Sequence, residues 1–453
     1  MKQNITTSIL ALLCFFAIGC STLFEAFQPN YGELATIPAP KMIGEPTLSP
    51  QELQVQPPAQ PTATPQAENI ADPNFESGKA AYRLGQFEDA VMFLSAVIEA
   101  DSSLAPPYVY RGAALRYLGR YDEALADFNM ALSIIPNYAL GYAHRSTVWF
   151  SMGNVEEGLR DSEEALKLDP TLAMVHHNLG VHYGNSGYYF EELEHLTASL
   201  TIDPTRAVTW WQRGIVFALV GMYEECVHDI SQAIDLGAQW ASYYGDRGFC
   251  KVELGQYQSG ISDITLALDL DLNRAAQYLY FRAKAYFFLG EYDLALADVN
   301  QNIEFYSTNR FLYSNRGLIY IEMGEYAKAY DNFDRALAFD IDPDINYTPS
   351  VSEFLAIAHY GKGRTLFEMG RYEDAVSELT ISLTYDMHAE TRPRFTNQRI
   401  LRLRPYYRAL TYLALDENEL AIADFENFLR TEDGFYPDLV SNAVATLERL
   451  QER

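Results

Sequence analysis

Four cysteines in 453 residues are too few for a disulfide scaffold. Basic side chains are scarce too: 33 Lys and Arg against 61 Asp and Glu give a formal net charge of −28. Such a surface repels phosphate backbones, which excludes a nucleic-acid binder. The longest unbroken apolar run, Ile9–Gly19, is too short to span a bilayer as an interior helix. No nucleophile elbow, phosphate loop or zinc motif occurs, so the expectation is no enzyme, no cofactor, no metal and no small-molecule substrate. What the chain does have is 48% apolar and 13% aromatic side chains, ample for a packed core.

At the N-terminus, Lys2 precedes the apolar run and small residues precede Cys20. That order is a secretory signal peptide over residues 1–19. Ala17-Ile18-Gly19-Cys20 resembles the lipobox of bacterial lipoproteins. The resemblance implies diacylation of Cys20 and an extracytoplasmic chain held on a bacterial membrane, with a secreted form as the alternative. Residues 20–70 hold nine prolines between Pro29 and Pro65. Proline fixes φ and lacks an N–H, so this stretch reads as an extended, semi-rigid linker.

From Gly78 onward a small residue recurs every 34 positions: Gly112, Ser146, Gly180, Gly214 and Gly248, then Ala283, Gly317, Gly363 and Ala409 after small expansions. Seven positions after each stands a glycine (Gly85, Gly119, Gly153 and so on) in every unit but the last, where Asp416 breaks the column. Two further on an aromatic stands in eight of the ten units, and three beyond that the residue is small in nine, with Glu192 the exception. These columns describe a helix hairpin: small residues where two helices cross, and a glycine that ends the first helix in a left-handed conformation. Pro136, Pro170 and Pro204 close units and help begin the next helix. The pattern resembles the tetratricopeptide repeat family. That implies an all-α, right-handed superhelical solenoid of about ten repeats over residues 71–432, with a capping helix in 433–453. It also implies a concave face, lined by first helices, that binds a peptide or partner helix.

Just before the small residue stands an Arg, and sixteen positions later an Asp: Arg111/Asp127, Arg145/Asp161, Arg213/Asp229, Arg247/Asp263, Arg282/Asp298 and Arg408/Asp424. The ninth unit keeps the charges as Lys362/Glu378, and the first and fourth lose both members together. Joint presence and absence argue for structural ion pairs across each hairpin. The eighth unit departs, with Arg316 opposite Asn332.

Positions expected to line the groove are apolar or aromatic: Val109, His177, Trp211, Ile215, Phe249, Tyr280, Tyr360 and Tyr406. They suit an amphipathic helix or an extended apolar peptide, and packing between repeats is the plainer account of some of them. The Lys and Asn of a carboxylate clamp are absent there. His176, His177, His182 and His195 crowd the fourth unit without metal-ligand spacing and read as packing residues. Cys226 and Cys250 lie on consecutive helices and read as two buried thiols, with a disulfide as the alternative. The expansion near Asp344–Leu355 reads as a loop, and the one spanning Met387–Leu403 carries Arg392, Arg394, Arg399 and Arg402. That cluster either neutralises the chain's own carboxylates or docks an acidic partner or anionic lipid. The expectation is a non-enzymatic scaffold or adaptor that binds another protein. The alternatives are a self-associating envelope spacer and an accessory subunit that activates a cell-wall hydrolase or protease.

Overall fold

The computed structural model describes residues 70–237, 239–272, 275–338, 349–385, 402–431 and 436–452. Residues 1–19, Cys20, the Pro-rich stretch before residue 70, and Arg392, Arg394 and Arg399 lie outside them. All regular structure among the described residues is helical. Ten hairpins follow one another: α1 (Pro73–Arg83) with α2 (Phe87–Ala100), α3 (Ala105–Tyr117) with α4 (Tyr121–Ile134), and α5 (Ala139–Ser151) with α6 (Val155–Leu168). Next are α7 (Ala173–Asn185) with α8 (Tyr189–Ile202), α9 (Ala207–Leu219) with α10 (Tyr223–Asp235), and α11 (Ala241–Glu253) with α12 (Tyr257–Leu270). The series ends with α13 (Ala275–Phe288) and α14 (Tyr292–Phe305), α15 (Arg310–Glu322) and α16 (Tyr326–Ala338), α17 (Pro349–Glu368) and α18 (Tyr372–Thr384), and α19 (Leu403–Ala414) and α20 (Asn418–Thr431). A single helix, α21 (Pro437–Gln451), follows and buries Leu439, Ala443 and Leu447.

By contact density the chain forms two compact units. Among the described residues, those within 70–219 belong with 228–237, and those within 220–227 belong with 239–452. Among the described residues no helix is long and apolar enough to cross a membrane.

The hairpin turn explains the glycine column. All nine column glycines have φ between 72° and 80°, where a side chain is strained. In the first turn the Gln86 N–H donates to the Ala81 carbonyl and the Gly85 N–H to that of Tyr82, so the helix's last carbonyls are satisfied. Asp416 takes the same conformation at φ 59°, the only non-glycine residue with positive φ among those described. The hairpin crossing explains the small column. A Cβ on Gly112 would come within 2.9 Å of the Phe128 ring and 3.2 Å of the Ala124 carbonyl oxygen.

Two readings of proline are corrected. Pro136, Pro170 and Pro204 lie in the turns between hairpins, each three residues ahead of the next helix, not in its first turn. There Asp169 and Asp203 accept hydrogen bonds from the backbone N–H and hydroxyl of Thr171 and Thr205, closing short side-chain turns over the prolines. Conversely, Pro349 opens α17, so its segment up to Leu355 is helix and not loop. A proline costs little there because the first helical N–H has no intrahelical partner anyway.

Candidate interaction surface

Each Arg of the recurring column reaches the Asp sixteen residues on with two parallel bonds. Arg111 Nε and Nη2 donate to Asp127 at 2.8 and 2.7 Å, and Arg213 does so to Asp229 at 2.7 and 3.1 Å. Arg145–Asp161, Arg247–Asp263, Arg282–Asp298 and Arg408–Asp424 share the geometry. Bonded in this way, Arg111, Arg282 and Arg408 have pKa values above the usual guanidinium range, although burial works the other way. Arg111, Arg145, Arg213 and Arg247 also lie over an aromatic three residues earlier, as Arg213 does at 5.0 Å from the Trp210 ring, and Arg282 and Arg408 lie over a Tyr four residues later.

A third column emerges only in three dimensions. The remaining guanidinium nitrogen donates to a Ser, Thr or Asn on the second helix of the preceding hairpin: Arg111 to Ser95, Arg145 to Asn129, Arg213 to Thr197, Arg282 to Thr265, Arg316 to Asn300 and Arg408 to Thr380. One side chain therefore ties its own hairpin together and fastens it to the one before. In the eighth hairpin the Asn332 amide oxygen accepts from Arg316 Nε at 2.8 Å, keeping the bond without the charge. In the ninth, Lys362 pairs with Glu378 at 3.1 Å and with Asp334 at 3.0 Å. Burial of Glu378 is outweighed there by bonds from His359 and Lys362, which hold its carboxyl below the usual range.

Two further buried ion pairs were missed in the sequence. Lys284 on α13 meets Glu253 on α11, and Arg364 on α17 meets Glu322 on α15 at 3.2 Å. Burial pushes Glu322 up to about 6 despite Arg364. The signal was present: an acid at the last residue of a first helix, with a base four residues short of one local repeat later.

The residues expected in the groove divide sharply. Val109, Tyr280, Tyr360 and Tyr406 are buried and cannot serve as a docking surface in this state. Tyr406, for example, packs within its own hairpin, 5.2 Å from the Phe428 ring. Phe249 is half-buried, 4.4 Å from the ring of Phe281. His177, Trp211 and Ile215 are half-buried on α7 and α9, within one unit. His177 Nδ1 lies 3.1 Å from the Thr209 hydroxyl, which links the two helices, and burial lowers its pKa to about 4.

His176 Nδ1 faces His195 Nδ1 at 3.2 Å, and His182 stacks on Phe150. Among the described residues no three His, Cys, Asp or Glu side chains are placed to hold a metal ion. Cys226 and Cys250 are not separate thiols: a disulfide joins them, with Cα atoms 6.4 Å apart. They occupy facing positions on consecutive helices, where side chains already approach closely, so no backbone movement is needed to form the bond. Of the expected basic cluster Arg402 alone is described, half-buried just ahead of α19.

Two segments, residues 105–138 and 312–341, match family models for the tetratricopeptide repeat. With the 34-residue recurrence and the packed hairpins, these make the chain a tetratricopeptide repeat protein, a fold of protein-interaction scaffolds that are generally non-enzymatic. Solved structures similar to it include the TPR domain of P58(IPK), 17% identical over 84% of this chain and 99% of that one, with a TM-score of 0.29. The Cut9–Hcn1 hetero-tetramer of the APC/C is 14% identical over 81% of this chain and 95% of that one, at a TM-score of 0.43. Yeast Tom70 is 14% identical over 85% and 90%, at 0.40. No curated protein matches the chain.

Proposed function

We propose that the chain is a non-enzymatic adaptor on the extracytoplasmic side of a bacterial membrane, attached through acylated Cys20. It binds an apolar peptide or partner helix along its first helices. The observation that carries the docking role is the half-buried set His177, Trp211 and Ile215 on neighbouring first helices of one unit. An imidazole, an indole and an aliphatic chain side by side suit the apolar anchors of an amphipathic helix. The Cys226–Cys250 disulfide supports the location, because such bonds persist in oxidising compartments and are rare in the cytosol.

The test is photocrosslinking in living cells from a reactive residue at position 211, compared with one at Leu84, which is exposed in the first hairpin. A discrete product from position 211, lost on Ile215→Glu, is expected. No product, or the same products from both positions, refutes the docking role. Attachment is tested separately by Cys20→Ser, which should release the chain from the membrane fraction.

A further inference from the structure

The fourth hairpin departs from its neighbours at three positions at once. Leu179 and His195 replace the Arg and Asp, and Glu192 occupies the crossing position that is small in the other nine hairpins. Glu192 is 2% exposed. Space for its carboxyl exists because residue 184 is glycine: a Cβ there would sit 2.2 Å from Glu192 Oε2. Gln212 Nε2, on α9, donates to Glu192 Oε1 at 2.9 Å and joins the fourth hairpin to the fifth.

A buried carboxylate normally keeps its charge through a cation, and none is bonded to this one. The elements packed on α8 are α7 and α9. From α7 come His176, His177, His182 and Tyr183, and from α9 comes Arg213, which is engaged by Asp229. On α8 itself are Glu191, Glu194 and His195. None of these charges governs Glu192. Burial pushes its carboxyl up to about 7, against the smaller, opposite effect of the Gln212 bond.

We propose that Glu192 is a proton-operated latch: protonated, it keeps the α7–α8 crossing closed, and on ionising it loosens that crossing. The sign follows from linkage. The closed hairpin keeps a proton that an opened one releases between the ordinary 4.5 and about 7. Its stability is therefore full in acid and is lost as pH rises through 7. Between pH 5.5 and 8 the opening equilibrium should grow roughly 30-fold on this account. The histidines act oppositely: burial lowers His176 and His177 to about 4, so their contribution falls as pH drops below 6.5. Differences between variants remove that background.

The experiment is hydrogen exchange across 173–219 in the full chain at pH 5.5 and 8, corrected for intrinsic rates, for wild type and Glu192→Gln. The roughly 30-fold rise in opening should appear in wild type beyond any change in Glu192→Gln, and should be confined to α7, α8 and α9. Equal pH responses in the two proteins, or a difference spread over the whole array, overturn the latch. Should Glu192→Gln fail to fold, Gln212→Leu supplies the test. Removing a donor that favours the ionised carboxyl must shift the transition to higher pH, and an unmoved transition overturns the proposal.

Discussion

Arg213→Ala tests the cross-hairpin column most directly. Arg213 makes two bonds to Asp229 and one to Thr197, and lies over Trp210. The Arg213 side chain is 15% exposed and that of Asp229 2%. Removing the Arg leaves a carboxylate in the interior with the His228 Nδ1 beside it at 3.0 Å. Stranding one member of a buried pair costs about 3–5 kcal/mol, and about 4 is expected here. Asp229→Ala should cost less, about 2 kcal/mol, because the long Arg stem lets its head turn toward water. With both removed neither charge is stranded, so the double variant should lose about 3 kcal/mol, a coupling of about 3 kcal/mol. Urea unfolding followed by the fluorescence of Trp210 and Trp211 reads the same hairpin that is perturbed. Arg160→Ala, at an exposed position on α6, should stay within about 0.5 kcal/mol of wild type. Losses that add within about 0.5 kcal/mol would refute the reasoning, because independent sites add and coupled ones do not.

Three other outcomes are expected. Reducing Cys226–Cys250, which closes a sequence separation of 24, should destabilise by about 3.5 kcal/mol in the chain-entropy model, and a Cys226→Ala/Cys250→Ala chain should ignore reductant in the same urea titration. Asp416→Gly, which relieves a left-handed aspartate, should stabilise the last hairpin by about 1 kcal/mol; a lower thermal midpoint would contradict this. Lys284→Met should cost about 3 kcal/mol or more by stranding Glu253, whereas Lys284→Met with Glu253→Leu should recover most of it in chemical denaturation.

Local constraints were legible in the sequence because each repeat states them again. A left-handed turn needs glycine, and a tight crossing needs a small residue. A period of 34 makes both visible without any knowledge of long-range contacts. Even Asp416, which breaks the glycine column, keeps the backbone conformation, because the turn's hydrogen bonds fix it and aspartate tolerates it better than most side chains. The Ser, Thr and Asn column that receives the third Arg nitrogen was not legible. Its members share hydrogen-bonding capacity and not identity, and they lie on the preceding repeat.

The sequence by itself therefore determined the repeat unit and its helices, because these depend on residues within one hairpin. Tertiary structure decided what each first-helix side chain does. The same column position is buried at Val109, Tyr280, Tyr360 and Tyr406 but half-covered at His177 and Trp211. Coverage depends on how neighbouring hairpins fit, and a one-dimensional pattern does not encode that. Tertiary structure likewise decided that Cys226 and Cys250 are bonded, and that Glu192 is enclosed beside Gly184 without a cation. Both follow from distances between chain segments that composition and spacing leave open.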